Sequence, residues 1–172
     1  MNILFFVTSG VAILATLMVI TRKNAVHALL YLIVSLLAVA LIFYLLGAPF
    51  VAALEVIIYA GAIIVLFLFV IMVLNLSSQA GDQQMEWDSP AVWFGPSMMT
   101  IILGAELLFT FISYSGPSLD VTQITPKQVG LALYGPYLLG VEMASMLLLA
   151  GLVGAYHLAR QKTTSERKGG NE

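Results

Sequence analysis

The 172-residue chain contains no cysteine and has few charged side chains. Without cysteine it forms no disulfide, offers no thiolate nucleophile and cannot hold an iron–sulfur cluster through cysteine ligands. Charged residues make up 9% of the sequence and hydrophobic residues 60%, whereas soluble domains contain about 25% charged residues. A single soluble core cannot bury so much apolar surface in a chain of this length. The composition therefore predicts an integral membrane protein.

Other functional classes lack their usual signatures as well. The chain has no basic patch with interleaved aromatic residues, which argues against nucleic-acid binding. The two histidines, His27 and His157, lie at opposite ends of the sequence, so there is neither a paired-histidine haem site nor a compact metal motif. Nucleotide-binding loops and nucleophile–base pairs are absent too. Any hydride or electron transfer linked to this chain must therefore take place elsewhere.

Five apolar runs reach the length of about 20 residues that a helix needs to cross a bilayer. They cover residues 3–20, 28–46, 50–74, 92–114 and 131–157. Helices are expected because lipid offers the backbone no hydrogen-bond partners, and the alternating segments of a membrane barrel are missing. The sequence thus predicts an all-α membrane protein with five transmembrane helices in residues 1–160. A polar cytoplasmic tail, expected to fray, would follow in residues 161–172.

The basic residues predict the direction in which these helices cross the membrane. Cytoplasmic loops are enriched in lysine and arginine. If the N-terminus is outside and the C-terminus cytoplasmic, six of the seven lysines and arginines lie on the cytoplasmic side, and only Lys127 lies outside. The six cytoplasmic residues are Arg22, Lys23, Arg160, Lys162, Arg167 and Lys168.

Three glutamates, Glu55, Glu106 and Glu142, lie inside the predicted spans. A charged side chain costs about 2.5–3.5 kcal/mol at the centre of a membrane helix. Because no lysine or arginine lies within a span, each glutamate must be neutral, hydrogen-bonded or exposed to water. We expect Glu106 to contact a partner subunit, with a proton relay as the alternative. Glu142 follows a break at Gly135-Pro136 and is expected near the outer surface.

The third run combines a glutamate, a tyrosine and several small residues. Glu55 and Tyr59 are four residues apart and would share one face of an α-helix. Ala60-Gly61-Ala62 follows at once, which lets another helix approach closely and weakens the helix beside the tyrosine. Glu55 is either an interfacial acid or a relay group. Tyr59 and Gly61 are either packing residues or parts of a π-bulge or kink that moves the tyrosine between two positions.

Three stretches of the sequence resemble a known family. They are NAVHALLY at residues 24–31, LEVIIYAGAIIVLF at 54–67 and GPYLLGVEMASMLLLAGL at 135–152. Together with the five spans, they cover residues 1 to about 160. This pattern resembles the subunit J family of bacterial proton-pumping NADH:quinone oxidoreductase, respiratory complex I, whose mitochondrial counterpart is subunit six.

The resemblance implies a role that composition does not show. The third helix of the family contains a π-bulge, which would lie here between Tyr59 and Val65. It is proposed to change form during turnover and so to gate a proton path coupled to quinone reduction. Tyr59 and Gly61 match the family motif, and Val65 lies in the segment that would rotate. Glu55 and Glu142 match bacterial members of the family.

The resemblance also implies partners, and cofactors that are held elsewhere. The neighbours would be other membrane subunits, resembling subunits A, H, K and N of the same complex, and the lipids of the bacterial inner membrane. FMN, iron–sulfur clusters and quinone would bind to other subunits, so this chain would be a non-catalytic part of a translocase. Two alternatives remain open: a subunit of a multi-subunit cation/proton antiporter, and a purely structural subunit needed for assembly.

Overall fold

The computed structural model describes the backbone of residues 2–22, 24–73, 90–113 and 123–166. Side chains are described for the same ranges except residues 2, 90–92, 113 and 161–166. All regular structure in these ranges is helical, which confirms the predicted fold class. The chain divides into two compact units, Met1–Thr125 and Pro126–Glu172.

The first unit contains four long helical stretches, the third of which changes its helix type along its length. Its elements are α1 (Asn2–Thr21), α2 (Ala25–Leu45), α3 (Pro49–Leu54), a π-helical segment (Glu55–Ile63), α4 (Ile64–Val73) and α5 (Pro90–Ser113). We call the continuous stretch from α3 to α4 the third span. The second unit contains α6 (Pro126–Leu133) and α7 (Leu138–Glu166).

Five helices in the described ranges are long and apolar enough to cross a bilayer, as the sequence predicted. They are Ile3–Thr21, Ala25–Leu45, Pro49–Val73, Trp93–Ile112 and Leu138–Arg160. The chain is therefore a multi-pass membrane protein, and four of the five starting points agree with the prediction to within three residues.

The predicted start of the fifth span, at residue 131, is wrong. The spanning helix starts at Leu138 instead, because a turn at residues 134–137 separates it from α6. Pro136 lacks a backbone N–H and disfavours the α conformation in the residue before it, so it ends a helix here. At Gly135, a Cβ would lie 2.7 Å from the carbonyl oxygen of Leu131, so the turn is too tight for a larger residue.

The helix of the fifth span also continues farther than expected. We predicted a tail that frays from residue 161, but the backbone of α7 is helical to Glu166. Residues 167–172 lie outside the described part of the chain, as does the polar loop at residues 74–89.

The core of the first unit lies where α1, α2 and α5 meet. It consists of small and medium apolar side chains: Val11, Ala15, Val34, Ala38, Leu41 and Leu103. On α2, Tyr31 lies against Gly95 and Leu41 lies in the core with Leu103, so α2 and α5 run in the same direction. Parallel second and fourth spans are what alternating passages through a membrane require.

A tight turn after α2 sets the position of the third span. The amide of Ala48 donates to the carbonyl of Phe43, and the amide of Gly47 donates to that of Tyr44, both at 3.0 Å. Gly47 has a φ of 82°, a left-handed conformation that glycine adopts without a steric cost. Pro49 then begins α3. This closure keeps the third span packed along α2.

We predict that a Gly95→Ala substitution lowers the thermal stability of the assembled protein. The added Cβ would overlap with the hydroxyl of Tyr31, which is buried and accepts a 3.3 Å hydrogen bond from Arg22 Nη2. Overpacking of this kind costs about 1–3 kcal/mol. Gly104→Ala on the same helix is the matched control, because a Cβ there meets nothing within 4 Å. Equal melting temperatures for the two variants would contradict the prediction.

Candidate functional site in the third span

The third span contains a π-helical segment, Glu55–Ile63, between two α-helical pieces. At its end, the amide of Ile64 donates to the carbonyls of Gly61 and Tyr59, and the second bond spans five residues, as in a π-helix. The family resemblance implied a π-bulge near Tyr59–Val65. The π segment begins four residues before Tyr59, and Val65 lies in α4 beyond its end.

The absence of a side chain at position 61 leaves room for this geometry. A Cβ on Gly61 would lie 3.2 Å from the carbonyl oxygen of Val56, one π turn earlier. That oxygen belongs to the backbone, which cannot move aside as a flexible side chain can. Glycine is therefore the residue that this segment accommodates without displacing the helix.

Tyr59 lies within the segment and points away from the core of the unit. Its side chain is 50% exposed, and nothing in the described parts of the chain hydrogen-bonds to its hydroxyl. Glu55, at the start of the segment, is partly exposed. Glu55 and Tyr59 are four residues apart and both lie within the π segment. The hydroxyl, both donor and acceptor, remains available to water or to a partner subunit.

The third span is attached to the rest of its unit along a single face. Ala52 in α3 and Ile64 in α4 are buried, and Ile64 is only 2% exposed. Both α3 and α4 pack against α2. The opposite face is apolar and exposed, including Ile57 and Val65. The π segment packs against α2 as well, and its free side is open to lipid or to other membrane subunits.

The partner contact expected for Glu106 stays a prediction, but its carboxyl group lies against a residue of its own chain. Glu106 is only 8% exposed, and its Oε2 lies 2.8 Å from Oγ1 of Thr8 on α1 of the same chain. Thr8 was not predicted from the sequence, since a threonine in an apolar run carries no signal of such a contact. This pair lies on α1 and α5, outside the third span, so it does not join Tyr59 in one site.

Glu142 lies on α7 in the second unit, and its side chain is exposed. Its backbone carbonyl accepts a 2.7 Å hydrogen bond from Oγ of Ser145. Within the described ranges, no cluster of three histidine, cysteine or acidic side chains could hold a metal ion. The candidate site is therefore a π-helical segment with a tyrosine and a nearby acid.

Sequence comparison gives this arrangement a context. The family model described as NADH-ubiquinone/plastoquinone oxidoreductase chain 6 matches residues 15–158, which include the whole third span. The chain belongs to the chain 6 family. The motif-based resemblance stated from the sequence is thereby confirmed. Tyr59, Gly61 and Val65 all lie within the matched region of the chain 6 family, whereas Thr8 precedes it.

Relatives in the chain 6 family are similar over nearly their whole length. A protein named NADH-quinone oxidoreductase subunit J from Pseudomonas aeruginosa is 56% identical over 162 residues, covering 94% of this chain and 98% of the relative. A protein of the same name from Escherichia coli K12 is 49% identical over 166 residues, covering 96% of this chain and 90% of the relative. The corresponding protein of Buchnera aphidicola from Schizaphis graminum is 46% identical over 162 residues, covering 94% and 99%.

Proposed function

We propose that this chain is a membrane-arm subunit of NADH:quinone oxidoreductase, respiratory complex I, and that its third span is a conformational gate. The gate would couple quinone reduction, carried out elsewhere in the complex, to proton translocation. Membership of the chain 6 family and the names of the relatives support the assignment to the complex. The observation that carries the gate is the π-helical segment at Tyr59 and Gly61. Such segments are rare and frequently lie at functional sites.

The sequence beside the segment supports two alternative helix registers. Removing the extra residue of a π turn would rotate α4 by about 100° relative to α3, the rotation per residue of an α-helix. The place that Ile64 now occupies against α2 would pass to Ile63 or Val65. All three are β-branched apolar residues, so either register packs a similar side chain on α2. Two forms of comparable energy are what a switch requires.

Tyr59 is the polar group that this change of register would move. In one form its hydroxyl would join water and carboxylates from neighbouring subunits into a proton path. In the other form it would be displaced and the path interrupted. Glu55, at the other end of the same segment, is a supporting acid in this scheme. In this scheme the third span opens and closes a proton path, and it carries out no chemistry on a substrate.

The remaining assignments follow from membership of the complex. This chain would supply no catalytic group, and FMN, the iron–sulfur clusters and quinone would be held by other subunits. Its neighbours would be membrane subunits corresponding to subunits A, H, K and N. It would lie in the bacterial inner membrane with its N-terminus outside, as the distribution of lysine and arginine indicates.

The gate is testable with a single introduced thiol, because the chain has no cysteine of its own. In the assembled complex, we expect the rate of maleimide labelling of a Val65→Cys variant to differ between the resting state and steady NADH oxidation. Val65 is exposed and follows the π segment, so rotation of α4 changes its surroundings. An Ala53→Cys variant in α3 is the matched control and should label at one rate in both states.

Three outcomes separate the gate from the alternatives. Identical labelling of Val65→Cys in both states, in a complex that turns over normally, would contradict the gate but not the membership. Membership is tested independently by affinity purification of the tagged chain. Flavin and iron–sulfur subunits should copurify, whereas copurification of antiporter subunits alone would favour the antiporter alternative. A purely structural subunit would show loss of assembly, not of turnover, when Tyr59 or Glu55 is changed.

A further inference from the structure

A second polar site lies between α1 and α5, away from the third span. Thr8 is fully buried, and the carboxyl group of Glu106 lies beside it. Oγ1 of Thr8 is 2.8 Å from Oε2 of Glu106 and also 2.8 Å from the carbonyl oxygen of Leu4, one turn earlier in α1. Thr8 precedes the region that the family model matches, and Glu106 lies within it.

The number of hydrogens available for the contacts of Thr8 depends on whether the carboxyl group of Glu106 is protonated. The hydroxyl of Thr8 has one hydrogen, and the carbonyl of Leu4 can only accept. If Glu106 is ionised, Thr8 must share its single hydrogen between two acceptors in a three-centre hydrogen bond. If Glu106 carries a proton on Oε2, it donates to Thr8, and Thr8 donates to Leu4. Only the protonated carboxyl gives each 2.8 Å contact a hydrogen of its own.

The second carboxyl oxygen leads to the same conclusion. Oε1 of Glu106 is covered by the chain's own atoms, and no described residue hydrogen-bonds to it. An ionised carboxylate with one oxygen in this position would be a buried, uncompensated charge, which is costly in any medium of low polarity. A cation from lipid or from a partner subunit could not reach Oε1 without displacing this chain. A neutral acid tolerates the position better, because Oε1 is then an uncharged carbonyl oxygen.

The neighbouring helices bring no charge to Glu106. Neither α1 nor α5 contains a lysine, arginine or histidine, and Glu106 is the single acidic residue of the two. The titratable groups of α2 are His27, Tyr31 and Tyr44. Tyr31 lies against Gly95, about 16 Å along α5 from Glu106 at 1.5 Å per residue, and His27 is one turn farther. Tyr44 lines an apolar cavity beside α5.

We propose that Glu106 is a resident proton-binding site. It keeps its proton on Oε2 throughout turnover, donates to Thr8 and thereby fastens α1 to α5. In this role it is a positioning residue and not a station on a proton path, since Oε1 leads to no further polar group in the described chain. The proposal is independent of the gate in the third span.

The test compares Glu106→Gln and Thr8→Val in the assembled complex. Glutamine places an N–H where the acid has its O–H and a carbonyl where Oε1 lies, so it reproduces the neutral acid. We expect Glu106→Gln to retain NADH oxidation, proton pumping and an unshifted pH profile of turnover. Loss of pumping, a shifted pH profile or failure to assemble would overturn the proposal, because each would show that a neutral side chain of the same shape does not replace Glu106.

Thr8→Val tests the bond itself. We expect the melting transition of the complex to shift to lower temperature, because the buried acid loses its acceptor. Thr100→Val is the matched control, since the Thr100 hydroxyl bonds only to the carbonyl of Pro96 in its own helix. In a Glu106→Leu background, Thr8→Val should cause a smaller shift than in the parent. Equal shifts in both backgrounds would overturn the proposed bond.

Discussion

A Gly61→Val variant is expected to assemble into the complex and to lose at least about tenfold in coupled proton pumping, a change of about 1.4 kcal/mol in the governing barrier. The added side chain would stand 3.2 Å from the carbonyl oxygen of Val56 in the π form. Valine is also stiff about its first side-chain torsion, so it cannot turn aside easily. The segment would therefore be held in one register and the gate would not cycle. The measurement is proton uptake by vesicles during NADH oxidation.

The control for this substitution is Gly10→Val in α1, where a Cβ meets nothing within 4 Å. It adds the same side chain to a membrane helix with no π segment and should leave pumping unchanged. Gly61→Ala should give an intermediate loss, because alanine carries the crowding Cβ without the branches. If an assembled Gly61→Val complex pumps protons at the parent ratio to NADH oxidised, the gate hypothesis fails.

A Tyr59→Phe variant is expected to show the second large effect. It removes one oxygen and preserves the ring, so packing around the half-exposed side chain is unchanged. Since the hydroxyl would link protons across the segment, we expect turnover and pumping to fall by about tenfold or more. The amount of assembled complex on native gels should equal that of the parent.

Tyr156→Phe provides the matched control, because Tyr156 is an exposed tyrosine on α7. It should leave both rates unchanged. A complex with Tyr59→Phe that turns over and pumps at parent rates would show that the hydroxyl is not on the path. Loss of assembled complex would instead place Tyr59 among the structural residues of the chain.

The sequence predicted the spans well because a membrane span depends on residues that are consecutive in the sequence. A bilayer requires about 20 consecutive apolar residues, and such runs are visible without knowing what they contact. The prediction was wrong at the fifth span, where apolar residues continue through α6 and the following turn. The length of an apolar run does not show where a helix is interrupted, as it is at Pro136. The Gly135-Pro136 pair was nevertheless visible in the sequence as a break.

The candidate site was only partly predictable for a related reason. Small residues beside Tyr59 pointed to a weak helix, and the family motif pointed to a bulge, but neither fixed its ends. The observed π segment begins at Glu55 and ends at Ile63. The flanking helices pack on α2, where Ala52 and Ile64 are buried. Those contacts join residues that are distant in the sequence.

By itself, then, the sequence determined that this is an all-helical, five-span membrane protein of the chain 6 family with small residues directly after Tyr59. The tertiary structure alone decided the surroundings of Glu106. A glutamate in an apolar run looks the same whether it faces lipid, a partner or its own chain. Only the packing of α1 on α5 brings Thr8 within 2.8 Å and covers the second carboxyl oxygen. Burial and hydrogen bonding depend on which helices are neighbours, and that is a property of the fold.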